Sequence, residues 1–304
     1  MNRGIAMKSK LTTALAFVAT LLSHNASDAK VKVVASTTDL ASIAQFIGGE
    51  QAQVESIARG TSDPHYVEVL PSYMIKVARA DIYLKVGLDL DRWANEIIDG
   101  SRNGKLVVVD CSSRIEPLER PTAKVDASMG DVHPQGNPHY WLDPANGVKV
   151  AEQVADALTQ VDGTNGSYYA GRLESFKRTY ERKKSEWASK TGELSGLEII
   201  AYHNSWPYFT RAFGIEVAGF VEPKPGIEPT PSHTARIVEL VKAKKIRVIG
   251  VEPYFSRRAP DTIARLTGAK VVTLPPSVGG ADGASDYFRL FDVILDVLRE
   301  TGGD

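Results

Sequence analysis

Cysteine is almost missing from these 304 residues, with Cys111 the sole example. One thiol closes no internal disulfide and cannot by itself build a thiolate metal site, which takes several. Standing just after an apolar run, it reads as a small buried hydrophobe. It also lies far from the N-terminus, so no cysteine is available there to carry a lipid anchor. An excess of one charge is missing too. The 36 Lys and Arg against 37 Asp and Glu leave a formal net charge of −1, which recruits neither nucleic acid nor an anionic membrane. There is no apolar run of roughly 20 residues, the length that a membrane-spanning helix needs. Nor is there an H-E-x-x-H helix, a G-x-S-x-G elbow or a phosphate-cradling glycine loop, so the common hydrolase and nucleotide chemistries have no foothold. What remains is ordinary globular usage, 43% hydrophobic and 24% charged, in a chain long enough for two lobes.

The N-terminus differs in kind. Arg3, Lys8 and Lys10 precede an uncharged stretch at 11–22, and a short polar segment then ends in Ser27-Asp28-Ala29. A positive start, an apolar core of about a dozen residues and small residues before a cut describe a secretory signal. Residues 1–29 are therefore expected to be a signal peptide, with the mature chain beginning at Lys30 and released into a periplasm.

Beyond it, short apolar runs at 31–35, 54–58, 82–86 and 105–109 alternate with helical patterns. A second set at 198–202, 217–220, 248–251 and 270–274 does the same. Strands alternating with helices imply βαβ units and parallel sheets covered on both faces. Between the sets, Tyr169, Leu173, Phe176, Tyr180, Trp187 and Leu194 recur in steps of three, four and seven, one face of a continuous helix. A coiled-coil dimer is the competing reading of that stretch, but its heptads are not sustained. The fold class expected is α/β, with two parallel-sheet (βα)4-like lobes joined by a long rigid helix and a site in the cleft between them. The divisions are 30–164 for the N-terminal lobe, 165–194 for the helix and 195–304 for the C-terminal lobe. Residues 117–138, rich in Pro and Gly, are expected to form an exposed, mobile loop. The connection at 222–226 is expected to be stiffer.

Of six histidines, His24 leaves with the signal. His65 stands in Ser62-Asp63-Pro64-His65-Tyr66 and His139 in Asn137-Pro138-His139-Tyr140-Trp141-Leu142-Asp143-Pro144. His203 stands in Tyr202-His203-Asn204-Ser205-Trp206-Pro207. His65 and His203 follow strand-like runs, and open parallel sheets bind ligands outside the carboxyl ends of their strands. Neutral imidazole suits zinc, copper, iron and nickel, and three such donors leave a fourth position open. The prolines before His65 and His139 restrict the backbone and preorganise the loops. His133 is expected to be a solvated loop residue or to help gather ions. His233, after Thr230-Pro231-Ser232, is expected to open a helix and face solvent. Glu222 and Glu252 sit in strand-end contexts, where one of them is expected to hydrogen-bond a ligating imidazole.

With its three histidines in these contexts and in this order, the chain resembles the metal-binding solute-binding proteins of ABC transporters that serve zinc, manganese and iron. Asn137-Pro138-His139-Tyr140-Trp141-Leu142-Asp143-Pro144 is the most specific match, and the likeness runs through Val251-Glu252-Pro253. The resemblance implies that His65, His139 and His203 are metal ligands, with His at the third position as in zinc members, and the acid missing at the fourth tilts the reading toward zinc. It implies no enzyme, but a monomeric carrier of Zn2+, with Mn2+ or iron as alternatives, that docks on a membrane permease. A zinc-dependent hydrolase is the rival from another class, and adhesion has no feature arguing for it. The chain departs from the family pattern at Thr273-Leu274-Pro275-Pro276, where an acid is usual. Asp282 is the expected fourth ligand, with Asp286 or water as alternatives.

Overall fold

The computed structural model describes residues 30–123, 125–126 and 129–303. The expected signal peptide at 1–29 lies outside the described residues. β1 (Val31–Ala35) runs as Val-Lys-Val-Val-Ala with only its lysine exposed, the near-continuous apolar pattern of a strand covered on both faces. It pairs in parallel with β2 (Ala52–Ser56) on one side and β3 (Ile82–Lys85) on the other, and β4 (Val107–Asp110) follows β3. The second sheet repeats the arrangement. β5 (Glu198–Ala201) lies between β6 (Glu216–Phe220) and β7 (Val248–Val251), and β8 (Lys270–Thr273) is outermost. Both sheets therefore have the order second-first-third-fourth. In each, the chain leaves the first strand toward one edge and returns to its other side, which opens a crevice at the carboxyl ends.

The helices are α1 (Thr38–Gly48), α2 (Pro71–Ala78), α3 (Trp93–Ser101), α4 (Pro144–Val161), α5 (Gly166–Gly192), α6 (Pro207–Phe213), α7 (Pro231–Lys244), α8 (Arg258–Thr267) and α9 (Tyr287–Gly302). Local chemistry sets several starts. Asp143 caps α4 by accepting from the Ala145 amide at 2.9 Å, with Pro144 in the first turn, where its missing N–H costs nothing. Asp286 caps α9 by accepting from the amides of Phe288 and Arg289, each at 3.0 Å.

The expected strands are all present, with shifted ends. The run at 54–58 gives β2 at Ala52–Ser56 because Ile57 and Ala58 are buried but donate beyond the ladder, to the carbonyls of Ala35 and Ser36. The run at 105–109 gives β4 at Val107–Asp110. The long helix is there as α5, 27 residues, with Tyr169, Phe176 and Trp187 turned inward.

Each sheet has a core of its own on one face, Val34 and Tyr83 with α2 and α3 in the first and Ile200 and Ile249 with α7 and α8 in the second, but the faces turned toward each other share one. One cluster of buried residues runs from Val31 and Leu84 in the first sheet, through Phe176 and Trp187 of α5, to Val248 and Phe291 in the second half. Its centre is aromatic. Phe46 of α1 meets Phe176 edge-on at 5.1 Å between ring centroids, Phe176 meets Phe288 at 4.8 Å, and Trp187 meets Phe291 at 5.2 Å. The Trp187 indole also donates to Asp292 at 2.8 Å. Further bonds cross between the halves: Thr38 Oγ1 donates to the Val278 carbonyl at 2.7 Å, and the Val278 amide returns a bond to Asp39 Oδ1 at 2.9 Å. The helix joining the lobes is thus packed into both.

Phe176 is fully buried, so Phe176→Ala is expected to cost about 3–5 kcal/mol of unfolding free energy. Because the core is continuous, urea should unfold the wild-type halves together. Far-UV circular dichroism and tryptophan fluorescence should give one coincident transition, and two resolved transitions would contradict a shared core.

Candidate metal centre

Two of the three marked histidines are aimed by the same local device. Asp63 Oδ1 accepts from the backbone amide of His65 at 3.0 Å and sits 2.7 Å from its ring Nδ1. Asn137 Oδ1 does both for His139, each at 3.0 Å. In each case an Asp or Asn two residues upstream closes a turn across the intervening proline and grips the ring by the same oxygen. His203, just beyond β5, uses a more distant partner: its Nδ1 lies 2.5 Å from Glu222 Oε1. The other Glu222 oxygen accepts from the Gly226 amide at 3.2 Å. With an oxygen acceptor at each Nδ1, the proton resides there and the Nε2 lone pair is free to bind an ion.

The free donors converge. Donor atoms of His65, His139 and His203 all lie within 4.8 Å of one another. The ring centroids are separated by 5.2 Å (His65–His139), 5.3 Å (His65–His203) and 5.5 Å (His139–His203). His139 Nε2 and His65 Nε2 are buried with no hydrogen-bond partner. A buried imidazole nitrogen without a partner is costly unless something else binds it.

The surroundings hold these loops in register. The Trp93 indole donates to the Pro64 carbonyl at 2.9 Å, fixing the loop of His65 against α3. After His139, the Tyr140 hydroxyl donates to the Val86 carbonyl at 2.8 Å and the Trp141 indole to the Pro276 carbonyl at 2.8 Å. Tyr287 of α9 donates to the Trp141 carbonyl at 2.6 Å. The Tyr-Trp pair after His139 therefore ties it to both halves, and Asp143 and Pro144 start α4. Sequence reasoning valued this motif for its histidine; what it missed was Asn137 as the orienting group. The recurrence of Asx-Pro-His at 63–65 and 137–139 was the available signal.

The electrostatics separate the rings. Burial, then the neighbouring imidazoles, hold His139 well below its ordinary pKa, so it stays neutral. Burial also lowers His203, but the bond to Glu222 and the charges of Glu222, Glu252 and Asp63 outweigh it, and the net direction is up. Burial raises Asp63, but the hydrogen bond and charge of His65 outweigh it and leave Asp63 lowered. Glu252, whose Oε1 accepts from Ser205 and the Trp206 indole at 3.1 Å each, is pushed up to about 7, chiefly by burial. Of the two glutamates, Glu222 rather than Glu252 holds a cluster imidazole.

The remaining expectations fall differently. Asp282 is exposed and does not join the converging donors. Asp286 is the N-cap of α9, its Oδ1 engaged by two amides. His233 is in the first turn of α7, as expected, but its Nε2 lies 2.9 Å from the Phe220 carbonyl rather than facing open solvent. His133 is not a solvated residue. Its ring lies 5.3 Å from that of His65, and burial and the nearby imidazoles lower its pKa to about 4. Its loop, expected to be mobile, is tied at several points. The Leu118 amide donates to Tyr208 Oη at 2.9 Å, Asn137 Nδ2 to the Asn204 carbonyl at 2.8 Å, and the Asp131 amide to the Pro225 carbonyl at 2.9 Å. The Tyr66 hydroxyl donates to Asp131 from the other side. Gly130 has φ 76, and a Cβ there would meet the Pro225 carbonyl oxygen at 2.2 Å, so the approach requires glycine. Polar, turn-rich composition indicated a loop, but it could not reveal these cross-chain bonds.

Two like-ordered parallel sheets on a shared helix, with three oriented imidazoles converging from separate loops, define the architecture of a two-lobed metal-binding protein. The chain belongs to the ZnuA family, described as zinc-uptake complex component A, periplasmic, whose model matches residues 33–301. Members of this family are metal-binding solute-binding proteins that work with ABC transporters. The manganese-binding lipoprotein MntA of Halalkalibacterium halodurans is 25% identical over 274 residues, 88% of this chain and 87% of the relative. The iron-binding protein YfeA of Yersinia pestis is 22% identical over 316 residues, 100% of this chain and 98% of the relative. Among solved structures, a crystal structure of ZnuA superposes with a TM-score of 0.76 at 25% identity, covering 88% of this chain and 98% of that one. The relatives are named for different metals, so kinship establishes metal binding and leaves the choice of ion to the site.

Two substitutions test the orientation of the rings. Asn137→Ala removes the acceptor on His139 Nδ1 and should weaken metal binding about 10–100-fold, the range for loss of such outer partners. Glu222→Gln removes the charge that raises His203, so the His203 pKa should fall. The acid edge of metal binding should then move to lower pH, read by chelator competition between about pH 5 and 8. An edge that stays in place would show that the Glu222–His203 pair does not govern it.

Proposed function

We propose that this chain captures Zn2+ with His65, His139 and His203 and delivers it to the permease of an ABC transporter. The observation that carries this reading is the donor set, one ring nitrogen from each of three histidines within 4.8 Å with no carboxylate oxygen among them. Nitrogen donors suit zinc, whereas manganese is better served by carboxylates. Imidazoles bind a metal in their uncharged form, so the carboxylates of Asp63 and Glu222 behind them are what offset the dication. In this reading the signal at 1–29 is removed, the mature chain works as a monomer in the periplasm, and the divisions 30–164, 165–194 and 195–304 act as lobe, strut and lobe. The ion exchanges its water shell for imidazoles in the cleft. The continuous core limits the accompanying lobe movement, and docking on the permease disturbs the ligands to release the ion.

The decisive measurement is competitive titration of the metal-stripped mature protein with Zn2+ and Mn2+ against a chromophoric chelator, beside His203→Ala. Tight one-to-one binding of zinc, weaker binding of manganese and clear loss in the variant are expected. A preference for manganese would overturn the assignment of zinc. Zinc affinity should also drop as pH falls toward about 6, because protons compete for the same Nε2 lone pairs. Affinity independent of pH across this range would count against a histidine site.

A further inference from the structure

The three converging imidazoles leave a fourth coordination position, and zinc sites are almost always completed to a tetrahedron. A nitrogen–zinc distance of about 2.0–2.1 Å places the donors of a tetrahedral site roughly 3.3 Å apart, so the present cup must contract slightly around an ion. Within reach of such a contraction stands a histidine that the sequence reads as a loop residue or a gatherer of ions and that the three-ligand site does not use. The His133 ring lies 5.3 Å from the His65 ring at an interplanar angle of 31°, as close to His65 as His139 and His203 are. Its Nε2 is buried and has no hydrogen-bond partner, the same condition as the Nε2 atoms of His65 and His139.

We infer that His133 is the fourth ligand, making this an all-imidazole site closed by the loop that carries it. The inference rests on the three-histidine reading above and extends it. Other candidates are worse placed. Asp282 is exposed, Asp286 caps α9, and Glu252 sits at the rigid end of β7 with one oxygen held by Ser205 and Trp206. His133 stands between two points at which its loop is tied, Asp131 and Asn137, so the movement needed is that of its own side chain. The residue lies beyond the Asp131–Pro225 bond and is joined to the first half through Tyr66 and Asp131. A cavity of about 720 Å³ opens beside it, lined by His65, Asp89, Trp93, Asp131 and His133 itself. An ion entering there meets His133 and His65 together, and a short inward movement of His133 caps the cup.

The test counts imidazoles directly. X-ray absorption at the zinc edge of the loaded wild-type protein should fit four imidazole nitrogens, and His133→Ala should fit three nitrogens and one oxygen. The cobalt-loaded wild type should show tetrahedral visible bands that shift in the variant. Zinc affinity of His133→Ala should fall by more than about 10-fold, the lower bound for loss of even an outer partner. Thermal unfolding of the two metal-free proteins serves as the folding control. Three imidazoles in the wild type, with spectra and affinity unchanged in His133→Ala, would overturn this inference and leave the three-histidine carrier standing. No metal bound by the wild type, or affinity indifferent to His203→Ala, would overturn both.

Discussion

A doubly charged ion can leave water for a buried site only if neutral donors replace its hydration shell and negative charge stands close behind them. Asp63 and Glu222 provide that charge here, and they do so through the rings. Each carboxylate is bound to an Nδ1, so the charge is held about one imidazole width from the converging Nε2 atoms. The same contacts fix the tautomer and the ring plane. Without them the rings could rotate, His203 would lose the partner that holds its ring, and the buried carboxylates would have little to justify their desolvation. The other arrangements at the site serve to keep these few contacts in place.

His139 shows how far that support extends. Its ring is gripped by a neutral amide oxygen rather than a carboxylate. The third acceptor therefore adds no further negative charge, and the two carboxylates match the charge of one divalent ion. The ring's position is set by residues on either side. Asn137 is anchored to the carbonyl of Asn204 in the second half, and Tyr140 and Trp141 are anchored to carbonyls in the first and second halves respectively. One short side chain and two aromatic ones thus convert a loop into a crosslink between the sheets. An ion held by His65, His139 and His203 joins elements that the protein has already joined, so less ordering has to be paid for when it binds.

Much of this was legible in the chain. The alternation of β-branched runs with helical faces gave both sheets, because parallel strands covered on both sides leave an unbroken apolar signature. The spacing of Tyr169, Phe176 and Trp187 gave α5, and the contexts of His65, His139 and His203 singled out the three imidazoles that the fold brings together. The ends of strands were less legible, since Ile57 and Ala58 are as apolar as the strand they follow and differ only in where their amides point. Longer-range relations were not legible at all. Nothing local in Pro117 through Pro138 announces bonds to Asn204, Tyr208 and Pro225, and nothing local distinguishes Asp286 as a cap from Asp282 as an exposed neighbour. Composition reports what a segment cannot do in isolation, while partners are chosen by the folded chain.

The shared core bears on how such a site can open. Phe46, Phe176, Phe288, Trp187 and Phe291 form one continuous aromatic spine across both halves, and turning one sheet against the other would have to slide these rings past one another. Dense packing resists small displacements and yields only to discrete rearrangements. By contrast, the bonds from the 117–141 segment across the cleft are polar: Leu118 to Tyr208, Asp131 to Pro225, Asn137 to Asn204 and Trp141 to Pro276. Each is a single hydrogen bond, worth on the order of 1 kcal/mol net, whereas the buried aromatic contacts are worth several times that together. A force applied to the two lobes therefore breaks these bonds before it disturbs the spine. The loop bearing His133 and the segment bearing His139 are the parts attached by those bonds, so a disturbance of the cleft reaches these two rings first, while His203 stays beside β5.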